Sequence, residues 1–154
     1  MKVIVCKNYD EMSAKAAEIF AEQIKTKPDS VLGLATGSSP IGLYKEMIRD
    51  HKENGTSYKD IITFNLDEYI GLPRDHRESY WTFMHENLFN HIDIPDENVH
   101  VPLGNGDIKK NCKNYEKELK KNEEQRKQLE VLRIEAEKAS EAKSDFLANM
   151  SHEI

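Results

Sequence analysis

The chain has 154 residues and a mass of 17.8 kDa, which is room for one domain with a sizeable core and too little for two. Its 22 basic and 28 acidic residues give a formal charge of −6, the opposite of the basic balance expected of a nucleic-acid binder. No apolar run approaches the roughly 18 residues of a membrane span, and the opening MKVIVCKNYD has too short an apolar stretch for a signal peptide. Cys6 and Cys112 form no CxxC pair, so neither a disulfide framework nor a zinc site is expected. The sequence predicts a reduced, cytoplasmic protein without a membrane span or a nucleic-acid partner.

In chain order, Val3-Ile4-Val5 is a β-branched run that suits a buried strand. Asp10 is placed to cap a helix running to about Thr26, with Met12, Ala16, Ile19, Phe20, Gln23 and Ile24 near helical spacing, and Pro28 ends it. A second strand is predicted at residues 31–35. The turn Thr36-Gly37-Ser38-Ser39 follows, and Pro40 opens a helix reaching about Asn54-Gly55. Residues 61–64 read as a third strand, residues 79–90 as an aromatic-rich helix, and residues 98–101 as a fourth strand. Strands alternating with helices imply a parallel sheet covered by helices. The last Pro is Pro102 and the last Gly is Gly106, so residues 109–154 contain no helix breaker. That stretch holds 11 basic and 10 acidic groups, whereas residues 1–108 hold 11 and 18. The acidic excess belongs to the first part. The second reads as one long alternating-charge helix starting near Lys109 or Asn111 and running to near Met150.

Two stretches carry candidate chemistry. In VLGLATGSSPIGLY a strand runs into a sharp turn and then a helix, so free N–H groups and the helix dipole converge on a spot suited to an anion. Gly37 allows backbone to approach a phosphate, and Thr36, Ser38 and Ser39 bring hydroxyl donors. The stretch is neither a Walker loop nor GxGxxG, and Ser38 or Ser39 acting as an ordinary helix cap accounts for it equally. In ITFNLDEYIGLP a strand leads directly into Asp67 and Glu68. Ligands of open α/β sheets bind outside the carboxyl ends of the strands, where a carboxylate can move a proton between adjacent sugar carbons. The alternative is that Asp67 and Glu68 are loop residues or caps.

LATGSSPIGLYKEM, TFNLDEYIGLP and ESYWTFMHENLFNHIDIP closely resemble the glucosamine-6-phosphate deaminase (isomerase) family. With VHVPLGNG and CKNYEKEL, the resemblance covers residues 1–119. It implies the N-terminal half of a Rossmann-like α/β domain: a truncated parallel sheet with helices on both faces. It implies a sugar-phosphate substrate, with glucosamine 6-phosphate and water giving fructose 6-phosphate and ammonia, and no metal or organic cofactor. By the family pattern Thr36, Gly37, Ser38 and Ser39 cradle the substrate phosphate and Asp67 accepts the proton. The Gly-rich segment that supplies the ring-opening His in the family is absent, so the chain alone is expected to be inactive. Histidines 51, 76, 85, 91 and 100 match no catalytic position and read as surface or packing residues.

From Leu129 a 3-4 apolar spacing runs through Leu132, Ala136, Ala139, Lys143, Phe146 and Met150, the seam of a coiled coil. The ending KASEAKSDFLANMSHEI resembles the phosphoacceptor box of sensor histidine kinases, over residues 121–154. That resemblance implies a dimerising helix in which His152 takes phosphate and Glu153 assists proton transfer. The chain thus reads as a chimera: residues 1–119 deaminase-like, residues 120–154 a helical segment with a kinase box and a possible homo-oligomer contact.

Overall fold

The computed structural model describes residues 1–152. The chain divides into two compact units, residues 1–112 and residues 113–154. In the first unit the elements run α1 (Tyr9–Thr26), β1 (Val31–Leu34), α2 (Ile41–Asn54), β2 (Ile62–Asn65), α3 (Tyr80–Asn87) and β3 (Val99–His100). The three strands form a parallel sheet in the order β1-β2-β3. α4 (Ile108–His152) then continues through the second unit. The α/β class, the parallel sheet and the long C-terminal helix are those the sequence predicts.

Three local readings change. Val3-Ile4-Val5 is not a strand but an unpaired segment, with Val3 69% and Val5 90% exposed. A β-branched run gains strand structure only by pairing, and these three residues join no ladder of the sheet. The cap of α1 is Asn8 rather than Asp10: its backbone is extended and its side-chain oxygen accepts the Glu11 N–H at 2.8 Å, while the Glu11 carboxylate takes the Lys7 N–H at 2.6 Å. The aromatic helix ends at Asn87, and a separate 3₁₀ turn covers Phe89–His91.

Strand register explains where the core sits. Leu32 lies opposite Thr63, which lies opposite Val99, so these side chains share one face. On that face Leu32, Leu34 and Val99 pack with Ile24 of α1, Tyr44 and Met47 of α2, and Met84 and Leu88 of α3. Full burial of each large apolar side chain contributes about 1.5–3 kcal/mol. The opposite face carries Gly33, Phe64 and His100, with the Phe64 and His100 rings stacked at 4.3 Å. α1 meets α2 closely at Gly42, where an added Cβ would lie 2.2 Å from the Ser13 hydroxyl oxygen and 2.7 Å from the Tyr9 ring.

The histidines read as surface or packing groups are engaged in this way. His51 Nδ1 lies 2.6 Å from the Thr56 carbonyl, His85 Nδ1 2.9 Å from that of Trp81 and His91 Nε2 2.8 Å from that of Glu86. His76 Nδ1 accepts the Glu78 N–H. In the second unit α4 carries exposed i,i+4 charge pairs such as Glu123–Lys127 at 2.8 Å and Arg133–Glu137 at 3.1 Å. Leu129, Leu132, Phe146 and Met150 are exposed along it. Glu153 and the side chain of His152 lie outside the described residues.

Candidate functional site

Parallel pairing puts the two candidate segments at one edge. Leu34 lies opposite Asn65 at the carboxyl ends of β1 and β2. The chain therefore leaves β1 into Thr36, Gly37, Ser38 and Ser39, and leaves β2 into Asp67 and Glu68, on the same side of the sheet. The Asn65 amide fastens the two ends together by donating to the Leu34 carbonyl at 2.9 Å. β3 ends at that edge as well and continues into residues 101–106.

The turn after β1 is held from beneath. The buried Tyr44 hydroxyl donates to the Ala35 carbonyl at 2.5 Å, and burial pushes that phenol far above its ordinary pKa. Gly37 sits at φ 93°, a left-handed conformation that side-chain-bearing residues rarely adopt. Neither serine caps α2. Pro40 occupies the cap position with no side-chain hydrogen bond, and Ile41 N–H reaches the Ser38 carbonyl at 3.4 Å. Tyr9, at the start of α1, does the work instead. Its hydroxyl accepts the Gly42 N–H at 2.8 Å and lies 3.0 Å from the carbonyls of Ser38 and Ser39, to one of which it donates. Ser38 and Ser39 are thus exposed, and their hydroxyls are not taken up by capping.

Asp67 and Glu68, adjacent in sequence, part company in space. Asp67 is exposed at the edge. Glu68 is a helix cap at a distance: its carboxylate accepts the N–H groups of Tyr80 at 2.9 Å and Trp81 at 3.2 Å, the first turn of α3. Ser79 takes the next donor, Thr82 N–H, at 3.1 Å. A carboxylate at a helix N-terminus also faces the positive end of the dipole. The cap reading of this pair therefore holds for Glu68 and not for Asp67.

Two tyrosines complete the edge. The rings of Tyr69 and Tyr80 are 4.7 Å apart. The Tyr80 phenol is raised above its ordinary pKa by a hydrogen bond with Tyr69 and by desolvation, while a hydrogen bond with Thr36 works the other way and the Asp67 charge adds to the rise. The loops after β2 and β3 are clasped where Gly71 N–H donates to the Gly104 carbonyl at 2.7 Å. Gly104 admits no side chain, because a Cβ there would lie 1.9 Å from the Tyr69 carbonyl oxygen. Arg74 is spent on the scaffold, stacking over Trp81 at 4.1 Å and donating to the Val101 carbonyl. Sequence reasoning named Glu68 beside Asp67 without saying which helix it caps, and it did not single out Tyr9, Tyr80 or Gly104. A Glu twelve residues before a helix start, or a Gly that must meet one particular carbonyl, leaves no local pattern.

Among the described residues no three His, Cys, Asp or Glu side chains are grouped to hold a metal. No helix among them is long and apolar enough to cross a membrane.

Comparison with known proteins bears on the family and the fold. The glucosamine-6-phosphate deaminase of Thermoanaerobacter sp. (strain X514) is 56% identical over 122 residues, covering 79% of this chain and 48% of the relative. That of Clostridioides difficile (strain 630) is 53% identical over 117 residues, covering 75% and 47%. The chain spans about half the length of the curated relatives it matches. Among solved structures, a monomeric glucosamine-6-phosphate deaminase of the NagB superfamily superposes with a TM-score of 0.76 at 44% identity, over 79% of this chain and 51% of the other. A 6-phosphogluconolactonase from Thermotoga maritima shares the fold, with a TM-score of 0.61 at 23% identity over 78% and 53%. Residues 7–134 match the family described as glucosamine-6-phosphate isomerases/6-phosphogluconolactonase, and the chain belongs to that family.

Proposed function

We propose that the chain carries one half of a glucosamine-6-phosphate deaminase site: the phosphate cradle and the proton-transferring carboxylate. The observation that carries this reading is the pairing of Leu34 with Asn65, which brings the Thr36-Gly37-Ser38-Ser39 turn and Asp67 to one edge. In this reading the substrate phosphate sits against the turn, among backbone N–H groups and the hydroxyls of Thr36, Ser38 and Ser39. Asp67 takes the proton from C2 of the open-chain amino sugar and returns it to C1. Water then replaces the amine at C2, so that glucosamine 6-phosphate and water become fructose 6-phosphate and ammonia with no net oxidation. Tyr80, whose ring lies 4.7 Å from that of Tyr69, borders the same edge in this reading.

The whole reaction also needs an acid to open the sugar ring, a step worth about 10²–10⁴-fold in catalysis of this kind. No residue of the described edge takes that part in our reading, so the chain binds the sugar phosphate and does not turn it over. The test is titration of isotope-labelled chain with glucosamine 6-phosphate while amide signals and ammonia are followed. Shifts confined to residues 36–39 and 67, reversed by inorganic phosphate, with no ammonia, are expected. Silent amides at the turn, or sustained ammonia release, would overturn the reading.

For residues 120–154 we propose a separate role, a helix that pairs with a second copy and presents His152 as a phosphoacceptor in the manner of sensor histidine kinases. The unbroken α4 supports it, with Leu129, Leu132, Phe146 and Met150 exposed at coiled-coil spacing. Nothing in that segment resembles a nucleotide site, so phosphate on His152 requires a kinase domain in trans. Acid-labile phosphate formed with ATP alone, or a monomer at every concentration, would overturn it.

A further inference from the structure

Two tyrosine hydroxyls, from different helices, hold the turn after β1 by its carbonyls. Tyr44 of α2 donates to the Ala35 carbonyl at 2.5 Å. Tyr9 of α1 lies 3.0 Å from the carbonyls of both Ser38 and Ser39 and donates its one proton to one of them at a time. Ile41 N–H also reaches the Ser38 carbonyl, at 3.4 Å. Among the described residues no peptide bond is cis. In a trans peptide the C=O and the N–H point in opposite directions, so drawing a carbonyl one way aims the next residue's N–H the other way. The Ala35 and Ser38 carbonyls are drawn toward the tyrosines, and Thr36 N–H and Ser39 N–H therefore point away from them. An anion is repelled by carbonyl oxygens and held by N–H groups. The tyrosines fix which of the two the turn presents.

Tyr9 has a second effect. Pro40 has helical backbone, φ −83° and ψ −6°, so a serine at 39 stands just ahead of the helix with Gly42 N–H three residues on, the donor that such a cap takes. The Tyr9 hydroxyl accepts that N–H instead, at 2.8 Å, and Ser39 stays exposed. The seat for Tyr9 is specific. Asn8 caps α1 and places Tyr9 at its first position. Gly is a poor residue inside a helix, yet a Cβ at Gly42 would lie 2.7 Å from the Tyr9 ring. Tying α1 to α2 would not by itself require a grip on the carbonyls of Ser38 and Ser39.

We propose that Tyr9 is a positioning residue of the candidate phosphate site: its hydroxyl holds the Ser38-Ser39 peptide so that Ser39 N–H and the serine hydroxyls face the phosphate rather than the helix. This role rests on the phosphate-cradle reading above and adds the group that sets the orientation of the cradle. Acting through the turn alone, Tyr9 governs affinity for phosphate itself, whatever the phosphate is attached to.

Tyr9→Phe keeps the ring beside Gly42 and removes only the hydroxyl. Inorganic phosphate and glucosamine 6-phosphate are titrated separately into the full chain and into the variant, each isotope-labelled and held well below its melting temperature, while amide signals are followed. The variant should bind both anions about tenfold more weakly, with a smaller downfield shift of the Ser39 amide proton on binding. In the unaltered chain, bound phosphate should move the Thr36 and Ser39 amides and leave the Gly42 amide, already given to Tyr9, in place. Those signals decide the matter if the variant does not fold. A variant that melts lower but binds phosphate as tightly as the unaltered chain reduces Tyr9 to a tie between helices and overturns the proposal. So does a loss for glucosamine 6-phosphate without one for inorganic phosphate, or a shift centred on Gly42, which would mean that the anion displaces Tyr9. An unaltered chain with no shift at residues 36–39 for either anion overturns the cradle reading and this role together. Binding at those residues that is unchanged in Tyr9→Phe overturns this role alone.

Discussion

Replacing Glu68 with Ala tests how the candidate site is built. The Glu68 carboxylate accepts two first-turn amides of α3, from Tyr80 and Trp81, and its own neighbour's amide from Tyr69 at 2.9 Å. It is half-buried, so water replaces part of what is lost. Loss of a capping side chain costs about 0.5–2 kcal/mol, and hydrogen bonds to a charged group about 1.5–3 kcal/mol each before such replacement. We expect Glu68→Ala to cost on the order of 1–2 kcal/mol. For a unit of about a hundred residues that lowers the melting temperature by roughly 5–15 °C. Two controls isolate the cause. Glu68→Gln keeps the reach and one acceptor oxygen, so it should lose about half as much. Asp67→Ala, one residue away and exposed, should stay within about 0.5 kcal/mol. Thermal and urea unfolding followed at 222 nm measure all three. An unchanged melting temperature in Glu68→Ala, or Glu68→Gln as damaging as Ala, would refute the capping argument.

Gly104→Ala places a Cβ 1.9 Å from the Tyr69 carbonyl and must break the Gly71–Gly104 clasp; a loss of about 1–3 kcal/mol in urea unfolding is expected. Gly42→Ala drives a Cβ into Ser13 and Tyr9, so it should destabilise by a similar amount despite the better helix propensity of Ala, whereas Gly33→Ala, open on all sides, should be near neutral by the same assay. Desolvation pushes the Asp93 carboxyl up, but hydrogen bonds from the Ser57 hydroxyl and the Tyr58 amide, with the nearby His51, outweigh it and hold the group below its ordinary pKa. A carboxyl depressed in the folded state stabilises above its unfolded pKa of about 3.9 and loses that contribution as pH falls through the folded value. Asp93→Asn should therefore flatten the acid limb of a stability–pH curve and leave its neutral-to-basic shape unchanged.

How much was legible in the sequence follows from which forces are local. β1, α2 and β2 fell close to their predicted places because each is bounded by Pro, Gly or a polar turn, and because short β-branched runs in alternation with helices leave few topologies. The same logic misplaced residues 3–5: a run of three apolar residues has the composition of a strand, but only a partner strand makes it one. Asp10 looked like a cap because it precedes the apolar periodicity. Asn8 won because its extended backbone aims the side-chain oxygen at the Glu11 amide. The carboxyl-edge placement of the turn and Asp67 needed only the parallel register, which the alternating pattern implied. Glu68, Tyr80 and Gly104 act through contacts between loops that are far apart in the chain, and no spacing rule reaches them.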